Sequence, residues 1–164
     1  MAFELAKKGM SVMLVSRTKD KLDAVKSELL AKYPNVQCKT EVVDFGSFGQ
    51  KDTKKMTDLL EKIEVGVLVN NVGTNDRKPA SDVTAADYEK LVSTNQTSAF
   101  FLSTALLPML RKSTNGASVV NVTSLAGIRS SGTGVVYAMT KAAMTHMSEA
   151  LACEWAGYGI RVNA

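Results

Sequence analysis

Tyr137 and Lys141 stand four residues apart in "GVVYAMTKAAMTHMSEALACEWA", residues 134 to 156, a stretch of small and apolar residues that reads as a helix after Gly134. Positions i and i+4 lie one turn apart on the same helix face, so the phenol and the ammonium can reach one shared volume. A lysine cation beside a phenol favours the phenolate, lowering a tyrosine pKa from its usual value of about 10 towards the range where it exchanges protons with a ligand. Tyr137 is therefore a candidate general acid. The alternative is an aromatic residue packed beside a solvated lysine, and the pair alone does not choose between them.

Other polar residues fall where short β-branched runs end. Ser124 closes "ASVVNVTS", shortly before Tyr137, so Ser124, Tyr137 and Lys141 could converge on one carbonyl oxygen. Asn95 sits in "STNQTSAFF" among apolar neighbours, where a buried asparagine must either be satisfied by backbone or hold a water. "NNVG", Asn70 to Gly73, offers a glycine that lets backbone pass close to a ligand and two asparagines, Asn70 and Asn71, that suit either a site or a plain turn. Ser16 and Arg17 follow a run in which dinucleotide folds preferring NAD place an acid; an arginine there holds a 2′-phosphate, which favours NADP(H), or else simply opens a surface helix. Asp44 is either an adenine partner or an ordinary turn acid.

These residues need elements to position them. The pattern predicts a helix over residues 1–9 that stops at Gly9, a strand over 10–16, a helix over 18–32 broken by Pro34, and a strand over 36–45. A helix near 47–63 and an apolar strand over 65–70 follow, then a long helix over 84–112 capped by Thr84 in "TAADYEKL". The strand "ASVVNVTS", the helix from residue 134 and a strand start, "GIRVNA", complete the alternation. Strands alternating with helices predict parallel βαβ units and a doubly wound α/β sheet whose ligands bind at the carboxyl ends of the strands. With no repeat or linker, residues 1–164 read as a single domain.

Composition narrows the class. At 45% hydrophobic and 22% charged, the chain is an ordinary folded domain and not a disordered segment. The net charge of +4 comes from lysines interleaved with acids, as in "RTKDKL", which is a solvated surface and not a nucleic-acid patch. Cys38 and Cys153 lie far apart without metal-ligand spacing, so no zinc site or disulfide framework is expected and a reducing, cytoplasmic compartment fits. His146 is expected to be a packed helix histidine and not a metal ligand, and Arg129 either meets an anionic substrate or faces solvent. The apolar run "AFFLSTALLPML" is too short to span a membrane.

Taken in order, Asp44, "NNVG", Asn95, Ser124 and "YAMTK" resemble the short-chain dehydrogenases/reductases along essentially the whole chain. That resemblance implies a Rossmann-like fold and hydride transfer between NADP(H) and a carbonyl or secondary alcohol, on a lipid, steroid, acyl thioester or small ketone. It implies Tyr137 as proton donor or acceptor, Ser124 orienting the carbonyl, Lys141 tuning the tyrosine and binding the nicotinamide ribose, and Asn95 holding a water in a proton relay. "GVLVNNVG" and "SRTKDKL" look like the reductases of long-chain 3-oxoacyl-CoA and related 17β-hydroxysteroid dehydrogenases, whereas "LACEWAGYGIRVNA" looks like the tropinone reductase-like branch. Pairing through the two long helices, giving a homo-oligomer, is implied by the same analogy.

The chain departs from the family at both ends. Relatives begin with a strand and a glycine-rich turn that holds the pyrophosphate, whereas "MAFELAKKG" matches the helix after that turn, and "IRVNA" stops short of the family's last strand. The first strand is central in the family's sheet, so a chain without it is expected to leave unpaired edges. As given, the chain is expected to bind NADPH poorly and turn over little. Two readings follow: a piece of an active reductase, which an anchor elsewhere would tie to the endoplasmic reticulum membrane, or a non-catalytic short isoform acting through partner binding.

Overall fold

The computed structural model describes residues 1–164 apart from Ser131 and Thr133. Its contacts divide the chain into two compact units, Met1–Phe45 and Gly46–Ala164.

In the first unit a short helix, α1 (Ala2–Lys7), leads into strand β1 (Val12–Ser16). The helix stops at Gly9, as expected: with φ at +80° this residue lets its own N–H reach the Ala6 carbonyl while Met10 N–H reaches Leu5, which satisfies two terminal carbonyls. Helix α2 (Lys19–Lys32) crosses to strand β2 (Cys38–Val42), which pairs in parallel with β1, Val12 opposite Cys38 and Ser16 opposite Val42. Ala6, Leu29, Val36 and Cys38 form its buried core, with Phe3, Leu14 and Tyr33 packed around them. The charged face is solvated as expected, with Lys19 and Asp23 paired one turn apart at the start of α2.

The second unit carries helix α3 (Gln50–Leu60), strand β3 (Val67–Asn70), helices α4 (Ala85–Val92) and α5 (Ser98–Leu110), strand β4 (Ala117–Asn121), helix α6 (Val135–Trp155) and strand β5 (Ile160–Asn163). Its strands form a parallel sheet in the order β3-β4-β5. The fold is α/β with parallel strands. The strands form two sheets, of two and three strands.

Several boundaries differ from the sequence reading, each for a local reason. The expected strand over 36–45 ends at Val42, and Asp44 lies beyond it, just before a 3₁₀ turn at Phe45–Ser47. The helix expected near 47–63 begins only at Gln50, because Asp52 reaches back to cap Gly49 N–H at 3.1 Å. Thr84 caps α4 as expected: its hydroxyl accepts from Asp87 N–H at 3.2 Å, and the Asp87 carboxylate accepts from Thr84 N–H at 3.1 Å. The long helix expected over 84–112 is not uniform, since a π-helical turn at Ser93–Thr97 separates α4 from α5. The strand expected to reach Ser124 ends at Asn121, and Ser124 instead caps a 3₁₀ turn at Leu125–Gly127. His146 is not packed: its side chain is 87% exposed and faces Glu149. Among the described residues, no helix is long and apolar enough to cross a membrane.

Candidate active site

Helix α6 opens at Gly134, whose φ of +97° and lack of a side chain are both required. A Cβ there would lie 2.7 Å from the Asp76 carbonyl oxygen, so the loop after β3 can lie against the helix start only because this residue is glycine. The first turns of α6 then present Tyr137, half-buried, and Lys141, only 3% exposed. The Lys141 ammonium donates to the Val122 carbonyl at 2.6 Å, just past the end of β4, and approaches Met144 Sδ at 3.8 Å. It lies 5.8 Å from the centre of the Tyr137 ring. Burial pushes the Lys141 pKa below the ordinary lysine value, because removing a cation from water disfavours its charged form.

Asn95 faces these groups from the π-helical turn, fully buried. An extra residue in a helical turn shifts the register of everything after it, which is how a side chain among apolar neighbours is aimed across to another helix. Its Oδ1 accepts from Thr74 N–H at 2.7 Å, and its Nδ2 donates to the Thr74 carbonyl at 2.9 Å and to Thr140 Oγ1 at 3.1 Å. Backbone satisfaction of the Asn95 side chain, one of the two options the sequence left open, is observed.

Gly73 lies between Asn95 and Lys141. A Cβ on it would stand 3.4 Å from both Asn95 Oδ1 and Lys141 Nζ, so only a glycine keeps that exposed space clear. Ser124 caps a turn that packs on α6. A Cβ on Gly127 would lie 2.7 Å from the Lys141 carbonyl carbon and the Ala142 nitrogen, so this turn packs backbone to backbone on α6. The Ser124 oxygen accepts from Ala126 N–H at 3.2 Å, which leaves its own proton available for donation.

Asn70 goes elsewhere. It is buried, and its Nδ2 donates to Ser103 Oγ at 2.9 Å and to Asn121 Oδ1 at 2.8 Å, while Asn121 Nδ2 donates to Ser148 Oγ at 2.8 Å. That ladder pins the ends of β3 and β4 to α5 and α6, beneath the site. Asn71 is exposed on the loop. In the first unit, Ser16 ends β1 opposite Val42, so exposed Arg17 and Asp44 follow strands that end side by side.

Sequence reading missed Thr74, Val122, Asn121 and Thr140. A carbonyl or amide acceptor leaves no trace in residue type, but Thr140 adjoins Lys141 and has hydroxyl chemistry, so a helical wheel through Tyr137 would have flagged it.

The short chain dehydrogenase family model matches residues 1–164. The chain belongs to that family. It is 38% identical to a tropinone reductase homologue of Arabidopsis thaliana over 98% of its own length and 59% of the relative's. It is 34% identical to a very-long-chain 3-oxoacyl-CoA reductase of Caenorhabditis briggsae over 99% of its length and 52% of the relative's. Among solved structures of this family, L-sorbose reductase from Gluconobacter frateurii, complexed with NADPH and L-sorbose, superposes with a TM-score of 0.90 at 25% identity, over 99% of this chain and 61% of that one. The chain thus spans about half to three-fifths of the length of these three proteins.

Proposed function

We propose that the protein is an NADP(H)-dependent oxidoreductase that interconverts a carbonyl and a secondary alcohol. The observation that carries this reading is the buried Lys141 ammonium, held by the Val122 carbonyl beside the Tyr137 ring and next to the clear space over Gly73. Burying an ammonium costs desolvation, and a role in binding or proton exchange accounts for that cost.

In this reading Tyr137 gives its phenolic proton to the substrate oxygen, and takes it back in the reverse direction. Lys141, 5.8 Å from the centre of that ring, is the cation placed to assist the exchange. Ser124 donates its free proton to the same oxygen and fixes its orientation. Asn95 holds the loop carrying Thr74 in place beside them and is the candidate for ordering a water on the proton path. Each unit supplies groups suited to part of a dinucleotide: in the second, the space that a Cβ on Gly73 would fill lies beside Lys141 Nζ, and in the first, Arg17 brings guanidinium donors suited to a 2′-phosphate. NADP(H), when bound, supplies or accepts the hydride. Lys141 would hold its nicotinamide ribose, Ser16 and Arg17 its 2′-phosphate, Asp44 its adenine, and the backbone around Asn70, Asn71 and Gly73 would line its path. The Asn70 contribution is through backbone, since its amide is engaged in the buried ladder. The family match runs unbroken through both units, which supports residues 1–164 acting as one nucleotide-binding domain.

The names of the relatives support an acyl thioester or a small ketone as substrate, and lipid metabolism rests on the former alone. Exposed apolar side chains on the outer faces of α5 and α6, Phe101 and Met139 among them, support a homo-oligomer. The test is reduction of a ketone and a 3-oxoacyl thioester panel by the full-length protein with NADPH and with NADH. Turnover preferring NADPH and abolished by Tyr137→Phe supports the reading. Folded full-length protein that binds neither cofactor would instead support the non-catalytic alternative.

A further inference from the structure

We propose that Thr140 is a positioning residue that ties Asn95 to the turn of α6 bearing Tyr137 and so fixes the relative placement of the two. The inference rests on the oxidoreductase reading for its kinetic part and on geometry alone for the rest.

Thr140 is 1% exposed and is hydrogen-bonded to both Asn95 and the Tyr137 backbone. Its Oγ1 accepts from Asn95 Nδ2 at 3.1 Å and donates to the Tyr137 carbonyl at 2.8 Å. A hydroxyl has one proton, so once that proton is given to Tyr137 the oxygen can only accept from Asn95. Thr74 fixes the other side of the same amide, since its N–H can only donate to Oδ1 and its carbonyl can only accept from Nδ2. If Asn95 were flipped, its Nδ2 would face the Thr74 N–H, donor against donor. The directions of all four bonds are therefore mutually determined, and they connect the loop after β3, the π-helical turn and the first turns of α6.

Each Asn95 Nδ2 proton has its own acceptor, one on the loop and one on Thr140. Removing the Thr140 hydroxyl would leave a buried N–H unpaired, which is more costly than the loss of an exposed bond. The asparagine would rotate or shift to recover a partner. A shift of that kind alters the path between Asn95 and Tyr137 while Lys141 keeps its bond to the Val122 carbonyl and the Ser124 turn keeps its own, so the rate of the chemical step should respond more than substrate binding does.

The test compares Thr140→Val, which keeps the shape and removes the hydroxyl, with Thr140→Ser, which keeps the hydroxyl, both in the full-length protein. Two quantities are read: hydrogen exchange of the ¹⁵N-labelled Asn95 side-chain amide without cofactor or substrate, and kcat and KM for carbonyl reduction. The valine variant is expected to exchange about tenfold faster and to lose about tenfold in kcat with KM held within about twofold, and the serine variant is expected to restore both. Unchanged exchange in the valine variant overturns the proposal, as does a serine variant as impaired as valine, which would make the methyl group and not the hydroxyl the determinant. If the valine variant does not fold, Thr140→Ala is read by the same exchange. A full-length protein that reduces no carbonyl counts against the oxidoreductase reading only, and the exchange measurement still decides the role of Thr140.

Discussion

The two units of the chain are built on different principles. In Met1–Phe45 the buried side chains are apolar or thiol, Leu29 and Cys38 among them, and charge is kept to solvated faces. In Gly46–Ala164 lie all the polar and charged side chains that are buried among the described residues, from Asn70 to Ser148, and none of their fully buried nitrogens or oxygens lacks a partner. An apolar core tolerates exchange of one hydrophobe for another of similar volume, whereas a satisfied polar network accepts only groups that keep every bond. The first unit therefore depends on volume and the second on chemistry.

The sharpest way to break this comparison is to remove chemistry without changing volume. Tyr137→Phe in the full-length protein is expected to lower kcat about a thousandfold while leaving the thermal midpoint nearly unchanged, as read by steady-state kinetics beside a melting curve. Lys141→Met should lose activity similarly and change the pH dependence of stability. Burial holds the folded-state pKa of Lys141 below its unfolded value, so between the two the unfolded chain binds more protons. Stability therefore rises with pH through that window, up to about 10.4, and the methionine variant should flatten the rise in chemical denaturation series.

Volume is tested in the first unit. Leu29→Ala should destabilise by about 3 kcal/mol through a cavity, whereas Leu29→Met should cost less than about 1.5 kcal/mol. In the second unit Asn121→Leu, a comparable apolar swap, should cost about 2 kcal/mol because Asn70 and Ser148 each lose a partner. An Asn121→Leu protein as stable as its parent in urea titrations would end the distinction drawn between the units.

The smallest effects belong to helix ends. Thr84→Ala should cost about 1 kcal/mol by removing the cap on α4. Its partner Asp87 is held below the usual carboxylate range, first by the Lys78 ammonium at 2.9 Å and then by Thr84. That contribution is present above the ordinary aspartate pKa and is lost as pH falls through it towards the lower folded value, so Asp87→Asn should flatten the acid limb of stability below about pH 4.

Much of this was legible in the residues. Gly9 ends α1 because only a glycine takes that backbone conformation cheaply, and Thr84 with Asp87 announces α4 because the capping pair is local in sequence. Tyr137 and Lys141 share a face because helical spacing dictates it. The π-helical turn was not legible, since it is stabilised by where Asn95 must point, and its partners Thr74 and Thr140 are distant in sequence. Asn70 illustrates the same limit. Its position at a strand end was right, but its amide turned into the core because Ser103 and Asn121 wait there.

By itself, the sequence determined the alternation of strands and helices, the family and the candidates for the reacting groups, because periodicity, caps and motif order are properties of neighbours along the chain. Only the tertiary structure decided which polar groups serve the site and which serve the core. That choice depends on the acceptors that folding brings within 3 Å or so of each donor, and a buried donor takes the partner it is given.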